Sequence, residues 1–275
     1  VDPESGAAYV YRLTNQVWQQ EGKLVASDRS ANDHFGTSVA ADGTTIVVGA
    51  ENQDDGRGAA YVYVYAAGFW TQQQILTAST REKLDFFGTS VGIDGDTIVV
   101  GVPKLDGIVG DVGGVVVYDR TAGVWSETQV LYATDFAPLD LFGVSVDIDG
   151  TTIGVGASGE DDAGSGAGAG YIFTLNAGTW SQQAKLQASD GDTADAAGSA
   201  IAVSGEFAIV GAPADDGTGG IDSGSAYVWE REGTSWNQQQ KVEASDAEAS
   251  DRFGSAVSID GTRFAVAAAY DDRSE

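Results

Sequence analysis

Carboxylates carry whatever chemistry this chain has. Asp and Glu number 41 against 14 Lys and Arg, which leaves a net charge of −27. Many of the acids sit in short clusters beside glycine. Asp54-Asp55, Asp161-Asp162, Asp215-Asp216 and Asp271-Asp272 are adjacent pairs in similar surroundings, and Asp106/Asp111 is a looser version. Oxygen-rich loops of this kind suit Ca²⁺, which takes several oxygen ligands in flexible geometry. The eight paired residues are therefore the candidate metal ligands. The same residue types also form exposed turns without any ion, because Asp and Gly tolerate unusual backbone angles. A second set is stricter in position: Asp33, Asp85, Asp140, Asp195 and Asp251 each stand two residues before a Phe-Gly pair, even where Ala197 replaces the Phe. These five are candidate ligand-binding residues. The alternative is a side chain that bonds backbone N–H groups and sets the entry into the next strand.

Other chemistry is thinly supplied. Cysteine is absent and His34 is the one histidine, so a thiolate site and a His pair are excluded. Glycoside hydrolysis by paired carboxylates needs two different environments, one keeping its proton and the other ionised. Here the same acids recur in near-equivalent surroundings, which reads as a non-catalytic binder. Several weak equivalent sites gain avidity together.

The elements that hold these acids come from a repeat. Trp18, Trp70, Trp125, Trp180 and Trp236 are spaced 52, 55, 55 and 56 residues apart. Phe35-Gly36, Phe87-Gly88, Phe142-Gly143, Ala197-Gly198 and Phe253-Gly254 keep the same intervals, and thirteen residues after each glycine comes Gly49, Gly101, Gly156, Gly211 or Ala267. Each unit reads as four strands. An alternating first strand (Val39/Ala41 and equivalents) leads through a two-residue turn such as Asp94-Gly95 into an apolar second strand such as Thr45 to Gly49. Asp-Gly favours the tight hairpin turn, and a near-continuous apolar run suits a strand buried on both faces. A Gly/Asp-rich loop, a third strand (Ala60 to Tyr63) and a Trp-Thr-Gln-Gln fourth strand complete the unit. The five repeat Trp residues read as packing between units, with Trp229 either packing or an exposed platform. The expected fold is all-β: a five-bladed β-propeller of four-stranded antiparallel blades, one domain over residues 1–275 with repeats of 52–57 residues. The chain starts in a third strand and stops after a second, so the expected closure pairs N-terminal strands 3–4 with C-terminal strands 1–2 and removes open edges; a fragment of a larger ring is the alternative.

The Phe-Gly pairs and Gly211-Ala212-Pro213, with weaker forms at Gly49-Ala50-Glu51, Gly101-Val102-Pro103 and Gly156-Ala157-Ser158, resemble the FG-GAP repeat family, also found in integrin α-subunit heads. The Trp-x-Gln-Gln strands are similar to its prokaryotic extracellular subgroup. The resemblance implies ligand recognition and adhesion at the cell surface or outside the cell, with calcium in many members. The family's calcium loop, Asp-x-Asp-x-Asp-Gly between strands 1 and 2, is here a bare two-residue turn such as Asp149-Gly150, so that site is not carried over.

In this propeller the 2–3 loops and the blade-to-blade loops share one face. They hold 28 of the 41 carboxylates against seven Lys or Arg, so the charge is polarised rather than spread. A surface of this sign excludes nucleic acid and anionic membranes as partners, and no apolar run is long enough to insert in a bilayer as a helix. A protein or glycan is the expected partner. A purely structural module of a larger surface polypeptide is the alternative. The absence of an initiator Met marks a processed or excerpted chain.

Overall fold

A computed structural model describes residues 3–107 and 110–272. Its twenty strands follow the repeat. β1 (Ala8–Thr14) and β2 (Val17–Leu24) form a two-stranded sheet. Four four-stranded antiparallel blades follow. The first holds β3 (Val39–Asp42), β4 (Thr45–Ala50), β5 (Ala59–Ala66) and β6 (Phe69–Leu76). The second holds β7 (Val91–Asp94), β8 (Thr97–Val102), β9 (Gly114–Thr121) and β10 (Val124–Leu131). β11 (Phe142–Asp149), β12 (Thr152–Ala157), β13 (Ala169–Asn176) and β14 (Thr179–Leu186) make the third. β15 (Ala200–Ser204), β16 (Phe207–Ala212), β17 (Ser225–Glu232) and β18 (Ser235–Val242) make the fourth. β19 (Phe253–Asp260) and β20 (Arg263–Ala268) end the chain as a second two-stranded sheet. The protein is thus a β-propeller of five repeats. The first strands β3, β7, β11, β15 and β19 together line one axial channel of about 730 Å³.

Hydrophobic burial joins each unit to the one before it. The first strand of each blade packs on the second and third strands of the blade before it: Val91 and Ile93 share a core with Val47, Ala60 and Val62, and Val146 and Ile148 share one with Val99, Val115 and Val117. Trp125, Trp180 and Trp236 are buried between units, and so is Trp229, which is packing rather than an exposed platform; Trp18, expected to pack likewise, is instead 67% exposed. The fourth-strand glutamines add a specific link. Gln74 donates to the Trp125 carbonyl (2.7 Å) and accepts from the Trp125 N–H (3.0 Å), and Gln129 does the same to Trp180 (2.8 and 2.9 Å). On the far face, three turn Asp residues bond the next turn: Asp42 accepts from the Gly95 N–H, Asp94 from Gly150 and Asp149 from Gly205.

The closest approach is backbone on backbone. A Cβ added at Gly49, Gly101, Gly156 or Gly211 would stand 1.9–2.0 Å from the carbonyl oxygen of the next unit's Phe-Gly glycine. Parallel bridges beside it join Gly6 to Phe35, Gly58 to Phe87, Gly113 to Phe142, Gly168 to Ala197 and Gly224 to Phe253.

The half-blades β1–β2 and β19–β20 stand as two separate two-stranded sheets, and the position equivalent to the four junction glycines is there Ala267.

Gly101→Ala should cost about 3 kcal/mol in urea unfolding, since its Cβ meets backbone and Ser90 Oγ rather than a yielding side chain. Gly95→Ala, in a turn at φ +55° with open space around it, should cost only about 1 kcal/mol. Equal losses at the two positions would refute the steric reading of the junction.

Candidate ligand-binding face

The acidic loops do lie side by side. At each junction the blade-to-blade loop bonds the preceding unit's 2–3 loop: Asn32 N–H to Pro3 O, Phe86 to Gly56, Leu139 to Asp111, Ala194 to Ser165 and Ser250 to Ile221, each at 2.9 Å. Of the acids assigned to this face, Asp2 and Glu275, with Arg273, lie outside the described residues.

The five acids before the Phe-Gly pairs are buried. Each carboxylate accepts the N–H three residues earlier: Asp33 from Ser30 (2.5 Å), Asp85 from Glu82 (2.5 Å), Asp140 from Ala137 (2.6 Å), Asp195 from Asp192 (2.6 Å) and Asp251 from Glu248 (2.7 Å). Their carbonyls accept N–H groups of the 2–3 loop, as from Lys104 to Asp85 and Gly159 to Asp140. The residues flanking each Asp hold left-handed backbone angles; Leu139 (φ 70°) and Leu141 (φ 57°) are one such pair. Such angles are costly for a side-chain-bearing residue and persist only where the surroundings over-determine them. These acids therefore brace the loop from inside. Burial, against the backbone bond, pushes the Asp85 carboxyl up to about 6 and raises Asp140 and Asp195.

The paired acids are out of phase with one another. Asp54, Asp106, Asp161, Asp216 and Asp272 are the equivalent positions, so Asp54-Asp55 and Asp161-Asp162 extend one residue forward, whereas Asp215-Asp216 and Asp271-Asp272 extend one residue back. At the shared position Asp106 accepts from the Asp111 N–H, Asp161 from Gly166 and Asp216 from Asp222 (2.7–2.9 Å), each closing its own loop. Asp54 pairs with Arg57 (3.1 Å) and Asp55 with Lys83 (2.6 Å). Asp271 and Asp272 are exposed.

Carboxylates do converge at one place the paired motifs do not reveal. Asp135, Glu160 and Asp162 bring their oxygens within 4.8 Å of one another. Between them sits the ammonium of Lys185, 2.8 Å from Asp135, 2.8 Å from Glu160 and 2.6 Å from Asp162. Burial works against this charge, and the three carboxylate bonds outweigh it, holding the Lys185 pKa well above its ordinary value. The next unit repeats the device with Lys241, 2.8 Å from Asp190 and 2.7 Å from Asp215. Buried Asp215 also accepts the Tyr227 hydroxyl at 2.7 Å. Among the described residues this is the only such convergence of three acids, and its cation belongs to the chain itself. The signal for it was present in sequence as lysine five residues after the fourth-strand Trp, at Lys23, Lys185 and Lys241. His34 faces Glu51 at 3.5 Å.

Inside the channel, Asp147 on β11 accepts N–H groups from Val203 (2.8 Å) and Ile148 (2.9 Å). Burial, with Asp149 adding repulsion, pushes its carboxyl up to about 6.

A family model described as FG-GAP repeat matches residues 18–63, 70–118, 125–173, 180–229 and 236–275. No curated protein matches the chain.

Lys185→Gln leaves three carboxylates facing one another without a cation. The variant should lose about 2 kcal/mol, less than a fully buried pair because Asp162 is solvated. Millimolar Ca²⁺ should return part of that loss, read as a rise in melting temperature. A variant as stable as the parent, or blind to Ca²⁺, would contradict this assignment. The raised carboxyls set a pH dependence. Asp85 and Asp147 bind protons more tightly folded than unfolded, so their stability is fullest below about pH 4 and is lost as pH rises through about 6. Asp147→Asn keeps an acceptor and removes the charge. Its urea-unfolding stability should exceed the parent's at pH 7 and match it near pH 4; an unchanged difference across that range would show that Asp147 does not titrate there.

Proposed function

This chain belongs to the FG-GAP repeat family, and from that premise we propose that it is a non-catalytic recognition module acting outside the cell or at its surface. The supporting observation is a single face on which five sets of acidic loops stand side by side, while lysines neutralise only part of the charge. The partner favoured by that charge is a protein presenting basic groups. Potentials of opposite sign steer encounter and fix register more than they add affinity. No helix among the described residues is long and apolar enough to cross a membrane.

Two features argue for binding over catalysis. The buried acids are near-equivalent in every unit and brace their own loops, rather than forming one protonated and one ionised partner. The acids that converge are bonded to Lys185 and Lys241. Calcium enters the proposal as an aid to binding through the exposed acids, Asp271 and Asp272 among them. A purely structural module would share the scaffold and have no need of so one-sided a charge.

An array of proteins and glycans, run with Ca²⁺ and with chelator, tests the reading. Binding to basic protein segments is expected, weakening by about tenfold or more between 0.05 and 0.5 M salt as the charges are screened. Silence in both conditions would leave the structural module. Hydrolysis of a polysaccharide, lost on one Asp→Asn substitution, would replace the proposal with an enzyme.

A further inference from the structure

Between a blade's 2–3 loop and the loop that leaves its fourth strand lies a space that three blades fill from within. In the first blade Arg81 crosses it, donating to the Gly58 carbonyl at 2.6 Å and to the Gln53 side chain at 3.4 Å. In the third, the two loops touch: a Cβ added at Gly191 would stand 3.6 Å from the Ala163 methyl. In the fourth, Glu243 accepts from the Thr218 N–H at 3.1 Å and from its hydroxyl at 2.7 Å.

The second blade leaves this space open. Phe136 stands where the first blade has Arg81, and Tyr132 where the fourth has Glu243. With Asp106, Gly107 and Val112 the two rings line a depression of about 290 Å³. Val112 is buried, and Phe136 packs against the core behind it. The surroundings are acidic: Asp106, Asp111 and Asp135 are all exposed. Leu139, whose N–H bonds the Asp111 carbonyl, is 61% exposed at φ 70°. Asn32, Ala194 and Ser250 hold the same left-handed angle in other units, with Leu84 the other leucine. A bulky apolar side chain at such an angle is strained, and one left in solvent gives the fold nothing in return.

A pocket of this size takes one large side chain rather than a small-molecule ligand of ordinary dimensions. Its walls and its rim select differently. Aromatic walls favour an aromatic occupant through edge and offset contacts, while the acids around the mouth favour basic neighbours on either side of it. A buried ring inside a polar rim is the usual anchor of a protein interface. We propose that the pocket of Tyr132, Phe136 and Val112 holds an aromatic side chain of a partner segment that flanks it with lysine or arginine. This rests on the acidic face being the recognition surface, and it gives that surface one anchoring point, because three counterparts of the pocket are filled by the chain itself.

The test titrates the whole chain, by calorimetry at low ionic strength, with the synthetic peptides Lys-Lys-Trp-Lys-Lys and Lys-Lys-Ala-Lys-Lys. The Trp peptide should bind at least about tenfold more tightly. Phe136→Arg, which installs the first blade's own plug, should bring the ratio of the two affinities close to one. The ratio is the readout because the added charge weakens both peptides alike. Tyr132→Thr, again the first blade's residue, should lower the ratio as well, and it serves where the Phe136 variant does not fold. Equal binding of the two peptides by the parent would overturn the pocket and leave the acidic face as a binding surface, whereas binding of neither would overturn both. A ratio that survives in the folded variants would also overturn the proposal. So would a parent chain that self-associates and becomes monomeric on Phe136→Arg, since the occupant would then be a second copy.

Discussion

The contact on which the rest depends is a glycine Cα against a carbonyl oxygen. At four junctions the thirteenth residue after the Phe-Gly glycine meets the next unit's equivalent glycine so closely that no side chain fits. This sets how near neighbouring sheets come, and so how deeply the first strand of one blade enters the core of the one before. The Gln–Trp amide links span the same junctions and require the spacing that the glycines permit, whereas the Phe–Tyr edge contacts, such as Phe142 with Tyr171 at 5.4 Å, lie within one blade.

The loops over the acidic face show a second economy. An acid inside a loop can bond the loop's own N–H groups, bond a lysine, or meet a partner. The structure divides its acids among these roles. Buried Asp85 and its equivalents hold backbone, and the equally buried Glu160 and Asp215 hold lysine ammonium over the rings of Tyr171 and Tyr227. Desolvation raises the Asp85 carboxyl, which has a backbone N–H for company, while exposed Asp162, bonded to Lys185, is held down. The exposed acids are the part of the face a partner reaches.

Much of this was legible in sequence because repetition samples one rule several times. The Trp and Phe-Gly spacings, the Asp-Gly turns and the apolar second strands gave every strand of the blades, and the backbone-bracing role of Asp33 and its equivalents was one of two stated readings. What escaped had a physical cause. The Lys185 cage draws on residues 25 and 50 positions apart, and the corresponding positions in other units hold Ile75 and Val130. A search for what is common to all copies passes over it.

Adjacent acid pairs misled for a related reason. Asp161-Asp162 and Asp215-Asp216 look alike as dipeptides, but their common residue is Asp161 in one and Asp216 in the other. That residue closes its loop onto a backbone N–H in each case. The variable neighbour points elsewhere: Asp162 outward to Lys185, Asp215 inward to Lys241 and Tyr227. Within a repeat, the fixed acid does the work of folding and the neighbour is free to differ. Differences among copies at those neighbours, rather than the conserved Asp positions, are therefore where a five-unit face acquires a shape that a single ligand can distinguish from its symmetric average.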